Sequence, residues 1–99
     1  MTRMRARLAL LAKDQGGRHT PIFDQYQPRF VASTDGHGDV ELGVAVVRLT
    51  DNPMMMPGTE QDVELEPVDA SLWGNVTTSL VLGVFEEQQQ VGTATILSA

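Results

Sequence analysis

Gly16, Gly17, Arg18, His19 and Thr20 follow one another between two strand-like runs, and together they offer the groups that hold a phosphate. Consecutive amides of a glycine turn can point outward at an anion, and Arg18 and His19 can reach its oxygens. The same residues admit a plainer reading, in which the glycines satisfy backbone geometry and Arg18 packs or pairs within the chain. Asp35, His37 and Asp39 alternate across a second turn and carry metal-binding atoms, but Gly36 and Gly38 between them mark a hairpin tip. His19 is the one other histidine and there is no cysteine, so no zinc site rich in histidine or thiolate is expected. Neither a metal nor any other cofactor is expected. The chain has no G-x-x-x-x-G-K-[ST] loop, no G-x-S-x-G elbow and no H-E-x-x-H pair, which argues against an enzyme. Among apolar residues, Met54, Met55 and Met56 either fill the core or rest against a neighbouring domain. Trp73 is either a partner-binding hot spot or a plug for one end of the fold.

The elements that must position these groups read as strands. From Arg3 to Leu10 the residues alternate, with Arg3, Arg5 and Arg7 on one side and Met4, Ala6, Leu8 and Leu10 on the other. A loop from Lys13 to about Gln27 contains Gly16, Gly17 and Pro21, and Pro28 follows it, so no helix is expected there. Phe30 to Thr34 is extended, Asp35 to Asp39 turns the chain, and Val40 to Leu49 completes a hairpin. Thr50 to Gly58 is a loop closed by Pro57 and Gly58, whose order suits a type II turn. Gln61 to Glu66 alternates Val63 and Leu65 with an acidic outer face of Asp62, Glu64 and Glu66, and it ends before Pro67. Asn75 to Phe85 reads as a long β segment, Glu86 to Gln90 as a polar turn, and Val91 to Leu97 as the closing strand. Six strands at this spacing predict a closed or nearly closed barrel.

Ninety-nine residues suit one domain spanning 1–99 with a core of its own. No apolar run approaches membrane-spanning length, and the run from Leu8 to Ala12 is too short for a signal segment, so a cytoplasmic protein without membrane contact is expected. The net charge of −6 hides an asymmetry: residues 1–30 hold six basic groups and two acidic, whereas residues 31–99 hold Arg48 and eleven carboxylates. That balance argues against indiscriminate binding of polyanions, while leaving room for a basic patch if the N-terminal arginines converge in space.

Leu8 to Phe30 closely resembles the opening of the C-terminal domain of translation elongation factor Tu. Met54 to Gly58 is similar to that family's Met-Val-Met-Pro-Gly turn, and Val91 and Gly92 give a weaker match in the last strand. The resemblance implies a six-stranded antiparallel Greek-key barrel that touches aminoacyl-tRNA, an exchange factor and a GTPase domain. It implies that His19 lies near the T-stem backbone of bound tRNA. It also exposes departures. Arg29 stands where relatives usually carry glutamine, Glu66 stands where they carry a basic residue before the proline, and Phe85 to Gln89 replaces an Arg-Glu-Gly-Gly-Arg-like turn. Lost bases and gained acids weaken phosphate binding through reduced counterion release. The expected function is therefore a noncatalytic, translation-related binding module whose partner is a protein resembling the family's GTPase domain or exchange factor. Met54, Met55, Met56 and Trp73 are its candidate contacts. The alternative is an aminoacyl-tRNA or RNA-binding domain using Arg18, His19 and Arg29. A third reading is the C-terminal piece of a divergent translation factor without activity of its own. No GTPase segment lies within these residues, so either a stand-alone domain or such a fragment is expected.

Overall fold

Alternation in the first strand sets the inside and outside of the whole molecule. In the computed structural model, which describes residues 3–34 and 38–99, β1 (Met4–Leu10) buries Met4, Ala6, Leu8 and Leu10 and exposes Arg5 and Arg7. The chain continues through β2 (Ile22–Phe23), β3 (Arg29–Thr34), β4 (Gly38–Leu49), β5 (Met54–Met55), β6 (Glu60–Pro67), β7 (Val81–Glu86) and β8 (Gln89–Ser98). Six of these strands close a barrel in the order β1-β6-β4-β3-β7-β8, with β8 returning to β1 and every pair antiparallel. Closure leaves that sheet with no unpaired edge. The fold is the all-β, six-stranded antiparallel barrel that the sequence predicts.

Inward positions of all six strands meet in one core. Leu8, Phe30, Val47, Leu65, Leu82 and Ile96 are fully buried, each from a different strand. A large apolar side chain taken from water contributes about 1.5–3 kcal/mol, so this set drives closure. Ile22 and Met55 join the core from outside the barrel, because β2 and β5 pair as a separate two-stranded sheet in the register Ile22↔Met55 and Phe23↔Met54.

Several boundaries differ from the sequence reading. Ile22–Phe23 and Met54–Met55 lie within segments expected to be loops, and each forms a strand only because the other supplies its partner. Two short 3-10 turns, Lys13–Gln15 and Ala70–Trp73, occur where no helix is expected. β6 runs on through Pro67, which sits opposite Ala45 at the strand's last position, where a missing N–H is tolerated. The expected β segment from Asn75 begins only at Val81. Before it the backbone turns twice, with Val76 N–H donating to Trp73 O and Leu80 N–H to Thr77 O, and Ser79 adopts a φ of 75°. Gln89 and Gln90 belong to β8 rather than to a turn. The expected hairpin tip at Asp35, Gly36 and His37 lies outside the described residues.

Candidate functional site

The Gly16–Pro21 loop is shaped by its glycines and then fastened from below. Gly16 closes the first 3-10 turn at a φ of 89°, a left-handed conformation that suits glycine. Gly17 packs so tightly that a Cβ there would lie 2.2 Å from the Leu11 carbonyl oxygen. Leaving that contact, the chain presents Arg18, but the side chain turns inward. Its guanidinium donates to the Glu86 carboxylate from Nη1, to Thr20 Oγ1 at 3.0 Å from Nη2, and to the Thr20 carbonyl at 3.2 Å from Nε. It also lies 5.2 Å over the Tyr26 ring, whose hydroxyl donates to the same Glu86 oxygen. Burial, reinforced by the Glu86 carboxylate, pushes the Tyr26 phenol well above its ordinary range. Gln89 completes the fastening by donating from Nε2 to the Gly16 carbonyl at 2.5 Å.

Arg29 reaches the same β7–β8 turn from β3. Its guanidinium stacks 5.0 Å over the Phe85 ring, meets Glu41 at 2.8 Å and donates to the Glu87 carbonyl at 2.7 Å. The structure thus brings Arg18 and Arg29 to one turn, each bound to carboxylates of the chain. His19 is exposed, with no ion pair among the described residues.

The N-terminal arginines face β6. Cross-strand register sets Arg5 against Glu64 and Arg7 against Asp62, and the resulting ladder pairs Arg3 with Glu64 at 3.1 Å and Glu66 at 2.9 Å, Arg5 with Asp62 at 3.8 Å, and Arg7 with Asp62 at 3.1 Å and Glu60 at 3.8 Å. Arg48 of β4 closes on Glu66 at 2.9 Å. The alternation of β6 predicts Glu66 on the acidic outer face, yet two guanidiniums draw it in until only 9% of its side chain is accessible. The hydrogen bond from Arg48, followed by the charge of Arg3, holds its carboxyl below the usual carboxylate range.

Of the apolar candidates, Met54 and Met56 are 43% and 49% exposed, whereas Met55 is buried against the core. Trp73 is 2% exposed: it takes the barrel-end position, donating from Nε1 to Leu42 O at 2.7 Å and meeting the Phe30 ring edge-on at 5.4 Å. A face made of Trp73 or Met55 is therefore not presented to solvent. Phe23, which the sequence reading does not single out, is 59% exposed and lies opposite Met54 in the β2–β5 pair. Glu86, Tyr26 and Phe85 are also missed, because their roles arise only when a loop near residue 20 meets a turn near residue 87. Among the described residues, no group of His, Asp or Glu could hold a metal ion, and no helix is long and apolar enough to cross a membrane.

These features define a small closed β-barrel that offers loops and an outer face, with its charged groups paired at the β7–β8 turn and along the β1–β6–β4 ladder. Residues 1–98 match the model of the elongation factor Tu C-terminal domain, and the chain belongs to that family. It is a translation-factor domain of a kind that is noncatalytic in the family, where GTPase activity lies in another domain.

Proposed function

We propose that the barrel, acting as one unit over residues 1–99, is a noncatalytic docking module that binds a protein partner in the cytoplasm, through the face carrying Phe23, Met54 and Met56. One observation supports this reading above others: all six arginines lie within ion-pair distance of a carboxylate of the same chain. Positive charge already matched in this way gains little from a phosphate, since the protein's own acids must be displaced first. Lys13 and His19 apart, apolar surface is what remains available. Phe23 supplies a rigid aromatic anchor and the two exposed methionines supply adaptable thioethers, a combination suited to a protein surface. Met55 and Ile22 lie beneath and hold the pair of strands in place. The partner is a protein resembling the family's GTPase domain or exchange factor.

The test is an amide-shift NMR titration of the labelled chain with an elongation factor Tu GTPase domain, with an exchange factor and with elongator aminoacyl-tRNA. Shifts centred on Phe23, Met54 and Met56 with either protein, lost in Phe23→Asp, are expected. The exposure of His19 beside Arg18 favours a second reading, an RNA-binding loop. Shifts at Arg18, His19 and Arg29 with tRNA that persist at ~150 mM salt, with none for either protein, would replace the first reading by the second.

A further inference from the structure

We propose that Met54 and Met56 are a reversible oxidation site, at which a hydroperoxide turns the docking face polar and switches it off while the barrel stays folded. The inference rests on the protein-docking reading of that face.

The chain has five methionines and no cysteine, so thioethers are its only sulfur. Three of them are consecutive, and the fold sorts them by side. Met55 lies opposite Ile22 and is buried with it, whereas Met54 and Met56 are exposed. An extended backbone sends residues two apart to the same side. The turn that follows is fastened: Thr59 donates to the Met56 carbonyl from N–H at 3.3 Å and from Oγ1 at 2.6 Å, and Gly58 N–H donates to Leu10 O at 3.1 Å. Met4 is buried in the barrel core. Among the described residues, two thioethers therefore meet solvent and two are shielded from it.

That difference selects where oxygen is added. A methionine sulfur attacks one oxygen of hydrogen peroxide with a lone pair, forming an S–O bond as the O–O bond breaks. Sulfur loses two electrons and the peroxide gains them. The departing hydroxide takes the proton from the transferred oxygen, so the products are one sulfoxide and one water. The sulfoxide is polar where the thioether was apolar. Of the three side chains on the docking face, only Phe23 then remains apolar, and a partner must bury two sulfoxide oxygens without a matching donor. In the free chain both oxygens face water, and Ile22 and Met55 beneath them are unaltered. Oxidation at these two positions acts on binding and spares folding.

Hydrogen peroxide added to the full chain, followed by fragment-ion mass spectrometry, tests the site. One added oxygen each at Met54 and Met56 is expected while Met4 and Met55 stay reduced, with the dispersed amide spectrum of the barrel retained. The oxidised chain should bind the elongation factor Tu GTPase domain or the exchange factor about tenfold or more weakly. Methionine sulfoxide reductases acting on both epimers should restore the affinity. In a chain carrying Met54→Leu and Met56→Leu, peroxide should leave the affinity at that variant's own untreated value. Oxidation of Met55 as fast as its neighbours, collapse of the barrel spectrum on oxidation, or undiminished binding by the oxidised chain would each overturn the switch alone. Absence of binding by the untreated chain would instead overturn the docking reading, and the switch with it.

Discussion

The Arg18 guanidinium and the Glu86 carboxylate, 68 residues apart in the chain, form an ion pair that ties the glycine loop to the β7–β8 turn. Tyr26 donates to the same carboxylate oxygen, so one acid serves two donors from one loop.

Glu86→Gln should therefore loosen the loop while sparing the barrel. Both side chains of the pair still meet water, at 22% and 35% exposure, which limits the expected loss to about 1 kcal/mol. Urea unfolding reads the loss. A cycle with Arg18→Met should show that the two changes are not additive, and equal, independent effects would contradict the shared contact.

The single tyrosine of the chain gives a second, direct reading of that contact. A phenol whose folded value lies above 10.0 keeps its proton while the unfolded chain loses one. Stability is then complete below that pH and declines as pH rises through the alkaline range above it. Tyrosinate absorbance should appear only with unfolding, and Tyr26→Phe should flatten the alkaline loss.

Acid acts through Glu66. Its folded value is depressed, so the stabilisation is present above the ordinary carboxylate value of 4.5 and is lost as pH falls through the lower folded value. Melting temperatures of the chain and of Glu66→Gln should converge in acid and diverge towards neutrality. Parallel curves across that range would show that the two arginines do not depend on this carboxylate.

Trp73→Ala should cost about 3–5 kcal/mol, because it empties the barrel end and leaves the Leu42 carbonyl unpaired. Trp73→Phe keeps much of the volume and loses the N–H donor, for a smaller cost of about 1–3 kcal/mol. Far-ultraviolet dichroism during denaturant unfolding measures both.

The two adjacent glycines should respond differently to alanine. At Gly16 the penalty is the left-handed backbone with open space around it, about 1 kcal/mol. At Gly17 a methyl group would collide with the Leu11 backbone, so the loop must move, and Gly17→Ala should be the more destabilising of the pair in the same unfolding assay.

Much of the barrel was legible because its strands obey a period of two: Met4 to Leu10 and Gln61 to Leu65 alternate cleanly, and β-branched runs mark β4 and β8. What escaped reading depends on distant partners. Ile22–Phe23 and Met54–Met55 are too short to signal a strand alone. Val76, Thr77 and Thr78 have strand-like composition, yet local turn hydrogen bonds on either side of Thr77 prevail over it. Glu66 follows the alternation of β6, and only the meeting of Arg3 and Arg48 beside it explains its burial. The pairing of Arg18 was among the readings that the loop allowed, but its partner could not be chosen without knowing that β7 and β8 pass beneath.

Closure of the barrel through β1 also bears on the order of events during synthesis. Leu10 pairs with Gly92 and Arg5 with Ser98, so the barrel's first strand waits for its last before its second edge is covered. Until residues near 98 have left the ribosome, β1 can hold only β6, and the nascent chain carries a half-built sheet with Ala6 and Leu8 incompletely enclosed. A stop codon or cut that removes β8 would therefore do more than shorten the domain: it would return the first strand to solvent as an adhesive edge.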